Sequence, residues 1–308
     1  EAIELNQKTF STIYPTIHND SRTINETSKN MVKKKYSGES VKQVNVLLPV
    51  FPGTNCEYDS IQAFEEAGAK TTTFIFNNLT EDNINKSIDE FARLIEDSHI
   101  LMLSGGFSSG DEPDGSGKFI ASVLKNKKIK EAIEIHLSKK RLILGICNGF
   151  QALVKSGLLP NGNIQAMKED DPTLFKNSIN RHISKFVNTK VSSIHSPWLS
   201  SFELNEVHTI PMSHGEGKFI INEEQYKDLK DNHQIAFQYV DQNNSPTYNP
   251  MFNPNGSSYA IEGIISKDGL ILGKMGHSER YTEGLFINIT GNKTQSIFDN
   301  AVDYFKGE

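Results

Sequence analysis

From residue 44 to residue 156, short apolar runs alternate with segments of helical spacing, and this alternation restricts the fold more than any other feature of the chain. Residues 44–50, Val-Asn-Val-Leu-Leu-Pro-Val, read as a buried parallel strand. Residues 60–67 read as a helix stopped by Gly68, and 70–76 as a β-branched and aromatic strand. Residues 84–96 place Ile84, Ile88, Phe91 and Ile95 on one helical face. A buried strand is expected at 99–103, one long helix at 118–137, a strand at 141–146 and a short helix at 149–156. Parallel strands need crossover helices, so the expected architecture is doubly wound α/β, a mostly parallel sheet covered on both faces.

The flanks read differently. Residues 1–43 are rich in Asn, Ser, Thr and Lys with little periodicity, as in a linker or a surface-wrapping arm. Residues 44–308 form the expected domain. Its second half carries additional strand-like runs near 186–191, 207–212, 219–221, 235–240, 259–265 and 270–275, then a closing helix at 294–305. The formal charge is −6, and the run Lys33-Lys34-Lys35 reads as a solvated linker segment, so no nucleic-acid partner is expected. No apolar stretch is long enough to span a membrane, so no membrane partner is expected either. The two cysteines, Cys56 and Cys147, make neither a disulfide framework nor a zinc site by themselves. No metal is expected, and a reducing, cytoplasmic setting fits. A start at Glu1 suggests a fragment or a processed product.

The chemistry concentrates in Leu142-Ile143-Leu144-Gly145-Ile146-Cys147-Asn148-Gly149-Phe150-Gln151. A buried strand runs into Gly-x-Cys-x-Gly and then a helix, the cysteine counterpart of a nucleophile elbow. The two glycines leave room where side chains flanking a sharp turn would collide. The turn sets Cys147 at the carboxyl edge of the sheet, where open α/β folds bind ligands, and the helix N-terminus favours the thiolate. The Asn148 N–H then points to where an oxyanion would form. Cys56, in Pro52-Gly53-Thr54-Asn55-Cys56, lacks an elbow and reads as filler or loop packing.

Ser104-Gly105-Gly106-Phe107-Ser108-Ser109-Gly110-Asp111 follows a strand and precedes a helix. Gly117-Lys118 nearby tempts a phosphate-loop reading, but Glu112 and Phe119 stand where that motif needs Gly and Ser or Thr. A second oxyanion donor is the alternative, because glycines let a backbone N–H approach a reacting carbonyl. A thiol nucleophile needs a histidine, and the histidine an orienting group. Two His-x-Glu pairs offer this, His214-Gly215-Glu216 and His277-Ser278-Glu279. In extended chain, residues two apart project to the same side. The residues alone do not separate the two pairs cleanly. The apolar run ending before Met275-Gly276-His277 suggests a strand emerging at the sheet edge and tilts the choice to His277.

Together these segments resemble the class I, or triad, glutamine amidotransferases, and more closely the C-terminal glutaminase domains of phosphoribosylformylglycinamidine synthases. The match runs from about Val44 to Tyr281. It is carried by Pro52 to Cys56, Gly105 to Asp111, Gly145 to Gln151, Ser213-His214-Gly215-Glu216-Gly217-Lys218 and Met275 to Arg280. The Asp111-Glu112-Pro113-Asp114-Gly115-Ser116 extension looks like the long single-chain form of the synthase found in clostridia. The resemblance implies a flavodoxin-like sheet and a Cys147, His277, Glu279 triad. It implies an oxyanion hole from the backbone of Gly106 and Asn148, with Phe107, Gln151, His214 and Glu216 at the substrate. L-Glutamine is the implied substrate, and the ammonia would go to synthetase domains of the same polypeptide or complex. No cofactor is implied in this domain; ATP and Mg belong to the synthetase part, outside this chain. The family's usual His-Pro-Glu-Arg is His-Ser-Glu-Arg here, which removes a backbone constraint but no catalytic group. Two rivals stay open: a free-standing cysteine hydrolase of the same fold, and a catalytically silent docking module.

Overall fold

The expected alternation forms one sheet in the computed structural model, which describes residues 2–13, 24, 31, 36, 38–108 and 117–307. In chain order the elements begin with α1 (Ala2–Ile13), β1 (Asn45–Val50), α2 (Glu57–Glu66), β2 (Lys70–Ile75), α3 (Glu81–Asp97) and β3 (Ile100–Leu103). There follow α4 (Lys118–Leu124), α5 (Lys127–Ser138), β4 (Leu142–Ile146), α6 (Asn148–Ser156), α7 (Leu158–Asn161), β5 (Thr173–Phe175) and β6 (Ile183–Val191). The chain closes with β7 (Val207–His214), β8 (Lys218–Ile220), α8 (Glu223–Asp231), β9 (Ile235–Tyr239), β10 (Ile261–Ile265), β11 (Ile271–Lys274) and α9 (Ile297–Lys306).

Among the described residues, the main sheet has the order β2-β1-β3-β4-β11-β10-β9-β6-β7, and β5 pairs with β8 apart from it. From β2 to β11 all pairs are parallel; from β11 to β7 all are antiparallel. The order 2-1-3-4 is the flavodoxin-like arrangement, with its reversal between β1 and β3. The carboxyl ends of β1, β3, β4 and β11 therefore lie side by side, and their loops meet. The second-half strands extend this sheet, as the sequence suggested, and they bring β7 alongside the same edge.

Local chemistry sets the boundaries. Gly68, at φ 87°, ends the first crossover helix, and the Thr80 hydroxyl caps α3 by accepting from the Asn83 N–H. The single helix expected at 118–137 is two helices. The Asn126 side chain accepts from the Lys128 N–H and starts α5 afresh, a capping role that asparagine fills better than a helix interior. Residues 259 and 260, expected to begin a strand, belong to a short 3₁₀ turn over Ser258–Ala260 before β10. Helix α8, begun by a capping box of Asn222 and Gln225, and the short strand β5 escaped the sequence reading.

The main core lies on both faces of the parallel strands, with Phe51 packed against Phe76, Phe91 and Phe119. Trp198 is fully buried; its indole N–H donates to the Leu270 carbonyl, and its own carbonyl accepts from Asn300 of α9. The arm contains α1, a helix that weak periodicity did not announce. Its end meets the domain where Asn180 donates to the Ile13 carbonyl, and Ile24 is buried beside Ile183, Val187 and Ile210. The Asp111 to Ser116 extension lies outside the described residues. Among those described, no helix is long and apolar enough to cross a membrane.

Candidate active site

Strand β4 delivers Cys147 to the sheet edge as the first residue of a sharp turn, with φ 53° and ψ −105°. Positive φ is uncommon for a residue with a Cβ, and here the two glycines make room for the turn. A Cβ on Gly149 would lie 1.9 Å from the Leu103 carbonyl oxygen, and one on Gly145 would lie 2.7 Å from the Gly149 backbone. Helix α6 can thus approach β3 and β4 only with glycine at both places. The Cys147 N–H donates to the Lys274 carbonyl at 2.9 Å, which ties the turn to β11.

At the end of β11, His277 and Glu279 pair, Nδ1 to Oε1, at 2.6 Å. They do so in a 3₁₀ turn over Ser278–Arg280 that begins at His277, and not in extended chain as expected. Both are almost fully buried. Burial alone would disfavour the imidazolium, but the Glu279 carboxylate and the neighbouring Cys147 and Cys56 thiols outweigh it and hold the His277 pKa well above 6.5. Burial likewise opposes the Glu279 charge, yet His277 holds its pKa below the usual carboxylate value. The ring's other nitrogen, Nε2, has no hydrogen-bond partner among the described residues.

His214 lies in a different setting. Its Nδ1 faces the Asn177 side-chain oxygen at 3.1 Å, which also accepts from the Gly217 N–H at 3.1 Å. Burial and the nearby His277 push its pKa down to about 3, so the ring is neutral. With Nδ1 as the donor to Asn177, Nε2 is left as a buried acceptor without a partner among the described residues. The Glu216 carbonyl accepts from the Gln151 side chain.

The loops after β1 and β3 close the other wall. The Asn55 and Cys56 N–H groups donate to the Gly105 carbonyl, and Phe107 N–H donates to the Gly53 carbonyl at 2.9 Å. Gly106 has φ 148°, and a Cβ there would lie 2.6 Å from the Gly53 oxygen, so this close approach requires glycine. The resulting pocket is lined by the expected Gly106, Phe107, Cys147, Gln151, His214, Glu216 and His277. Asn148 and Glu279 stand behind it: the Asn148 side chain donates to Gln151 and accepts from the Ser108 N–H.

Asn55, Cys56, Ser213, Gly215 and Arg280 also line the pocket. Cys56, read as filler or loop packing, is buried in loop packing and also lines the pocket. Its Sγ accepts from Arg280 at 3.0 Å, and it lies within 4.8 Å of a His277 nitrogen and a Glu279 oxygen. Proximity to the nucleophile was invisible because it arises from the β1–β3 loop contact, although Cys56 shares its short Gly-containing loop with the quoted motif. Cys56, His277 and Glu279 have the donor types for a metal ion, but the His277 and Glu279 atoms engage each other and a guanidinium sits on the thiol.

The fold and the pocket are those of a glutamine amidotransferase. The model of the CobB/CobQ-like glutamine amidotransferase domain family matches residues 43–305. The phosphoribosylformylglycinamidine synthase subunit PurQ of Methanococcus maripaludis strain C7 is 36% identical over 273 residues, covering 82% of this chain and 94% of that protein. Among solved structures, PurLQS from Thermotoga maritima superposes with a TM-score of 0.61 at 26% identity, covering 86% of this chain and all of that one. The glutaminase domain of Trypanosoma brucei CTPS with bound acivicin gives 0.51 at 11% identity over 86% and 95% of the two chains, a likeness of fold alone. The chain belongs to the CobB/CobQ-like glutamine amidotransferase family and, within it, to the PurQ glutaminases of phosphoribosylformylglycinamidine synthase in purine biosynthesis.

Proposed function

We propose that Cys147, His277 and Glu279 hydrolyse L-glutamine and that the ammonia passes to an ATP-dependent synthetase partner, which converts formylglycinamide ribonucleotide to formylglycinamidine ribonucleotide. The observation that carries this reading is the buried His277–Glu279 pair, whose His277 lines one pocket with Cys147. Cys147 gives its proton to His277, and its sulfur attacks the side-chain amide carbon. The tetrahedral oxyanion lies between the N–H groups of Gly106 and Asn148, each worth roughly 3 kcal/mol. His277 returns a proton to the amide nitrogen, and ammonia leaves a glutamyl thioester. Water, deprotonated by His277, then cleaves the thioester to glutamate and restores the thiol. Glu279 orients the imidazole and stabilises its charged form, as the raised pKa of His277 reflects.

His214 and Glu216 supply acceptors on the substrate side: His214 Nε2, without a partner among the described residues, suits a substrate N–H, and Gln151 is braced against the Glu216 carbonyl. Phe107, about half exposed, flanks the mouth. The chain itself needs no cofactor for this chemistry; ATP and Mg serve the synthetase. Two reduced, buried cysteines suit a reducing cytoplasm. The test is glutamate release from glutamine by the chain, alone and with its synthetase, with Cys147→Ala as control. Cysteine-dependent release in either setting supports the reading. Folded protein that releases none with the synthetase loaded refutes it.

A further inference from the structure

We propose that Lys274 is a positioning residue for the reacting pair, its ammonium fixing the turn of His277 through Gly276 and Ser278. The residue is completely buried, as is its partner Glu262. Its Nζ donates to the Gly276 carbonyl at 2.9 Å and to the Ser278 hydroxyl at 2.8 Å, and lies 3.4 Å from Glu262 Oε1. The first two contacts bracket His277 on either side. Glu262 Oε1 closes the ring by accepting from the Gly276 N–H at 2.6 Å. The Ser278 hydroxyl in turn donates to Gln295 Oε1 at 2.5 Å, which anchors the turn to the segment leading into α9. The Lys274 main chain works on the other reactant: its carbonyl holds the Cys147 N–H at 2.9 Å. One residue thus ties the nucleophile turn and the base turn to the same strand end.

Energetics favour a specific use for this arrangement. Taking an ammonium fully out of water costs several kcal/mol, and an apolar pair of similar volume would often be at least as stable. Three partners at hydrogen-bond or ion-pair distance, converging on the turn that carries His277, give the buried charge a geometric task. Ser278 provides a hydroxyl where proline would provide only ring rigidity, and that hydroxyl is the link to Lys274. A reactive pair displaced by about 1 Å can lose on the order of 10²-fold in rate, so such bracing matters to catalysis more than to substrate binding.

The proposal rests on the triad reading, and its test separates the two. Ser278→Ala, Ser278→Thr and Lys274→Met are made in the full chain, and kcat and KM for glutamine are measured with the synthetase present. Alkylation of Cys147 by iodoacetamide is followed in parallel by peptide mass spectrometry, which distinguishes it from Cys56 and needs no substrate. For Ser278→Ala, kcat should fall about tenfold or more with KM within about twofold, Cys147 alkylation should slow, and Ser278→Thr should restore both. Lys274→Met should lose about 10²-fold in kcat; if it does not fold, the two Ser278 variants decide. Wild-type kcat and alkylation in folded Ser278→Ala overturn the proposal, as does an equal loss in the alanine and threonine variants. If wild-type protein releases no glutamate while alkylation still follows the Ser278 hydroxyl, the positioning role stands and the glutaminase reading falls.

Discussion

The Cys147 N–H and the Lys274 carbonyl meet at 2.9 Å, across the parallel register that sets Ile146 beside Lys274. Cys147 and the strand that leads into His277, 130 positions further along the sequence, therefore share one backbone hydrogen bond at the edge of the sheet. The placement of Cys147 beside the His277 turn depends on β4 and β11 staying paired in that register.

Glu279→Gln removes the charge that holds the His277 proton while keeping the shape of the side chain. Glutamine hydrolysis should fall on the order of 10²-fold, less than the loss in Cys147→Ala, because an orienting group is less essential than the nucleophile. Steady-state kcat of the two folded variants decides it, and equal losses would remove Glu279 from the orienting role.

Gly149→Ala should destabilise the fold and not merely slow the enzyme. The new Cβ would stand 1.9 Å from the Leu103 carbonyl oxygen, which is backbone and has nowhere to go without parting α6 from β3. A cost of about 3 kcal/mol or more is expected, at the upper end of overpacking effects. Urea unfolding measures it; a midpoint unchanged from wild type would show that the helix can shift freely.

Acid should weaken the fold through its buried neutral histidines. Burial holds His136 at about 4 and His214 at about 3, whereas an unfolded histidine titrates near 6.5. Between these values the unfolded chain binds protons that the folded chain refuses. Their contribution is present above about pH 6.5 and is lost as pH falls toward 4, by roughly 1.4 kcal/mol per pH unit for each group. His277 has the opposite sign: its raised folded pKa gives stability that is present below about pH 6.5 and is lost as pH rises through the folded value. Glu279, lowered in the fold, contributes above about pH 4.5 and loses that contribution as pH falls through its folded value. Melting curves between pH 6.5 and 4.5 should show a shallower slope for His136→Gln than for wild type. Parallel slopes would contradict the assignment.

Asn177→Ala should raise KM for glutamine. The buried amide accepts from Gly217 and His214 and donates to the carbonyls of Arg181 and His214, so its loss frees the ring that faces the pocket. Leaving buried donors unsatisfied should also cost about 1–3 kcal/mol in stability. A kinetic comparison at matched folded fraction tests the first effect, and an unchanged KM would take His214 out of substrate recognition.

Much of the fold was legible because the parallel half is written in period and punctuation. Gly68 and the mostly apolar strands at 44–50, 99–103 and 141–146 placed most elements within a few residues. The break at Asn126 was missed because capping competes with helix propensity inside a continuous periodic pattern. Helix α8 has only Tyr226 and Leu229 buried, too few for a visible face, and its capping box was the signal that was overlooked. At the pocket, the elbow pointed to Cys147, the strand end tilted the choice to His277 with Glu279, and motif resemblance gathered them as a triad, but Cys56 and Arg280 enter through contacts between loops distant in sequence.

By itself the sequence determined the elbow at Cys147, the doubly wound half and the residue types of the triad, because a tight turn, a strand period and a glycine requirement are local properties of the chain. Only the tertiary structure separates the two histidines: His277 meets the Glu279 carboxylate in a turn that Lys274 bonds through Gly276 and Ser278, and His214 meets the amide of Asn177. That difference is one of long-range packing, since a His-x-Glu triplet carries the same local chemistry wherever it occurs, and burial together with neighbours from other strands sets which ring keeps its proton.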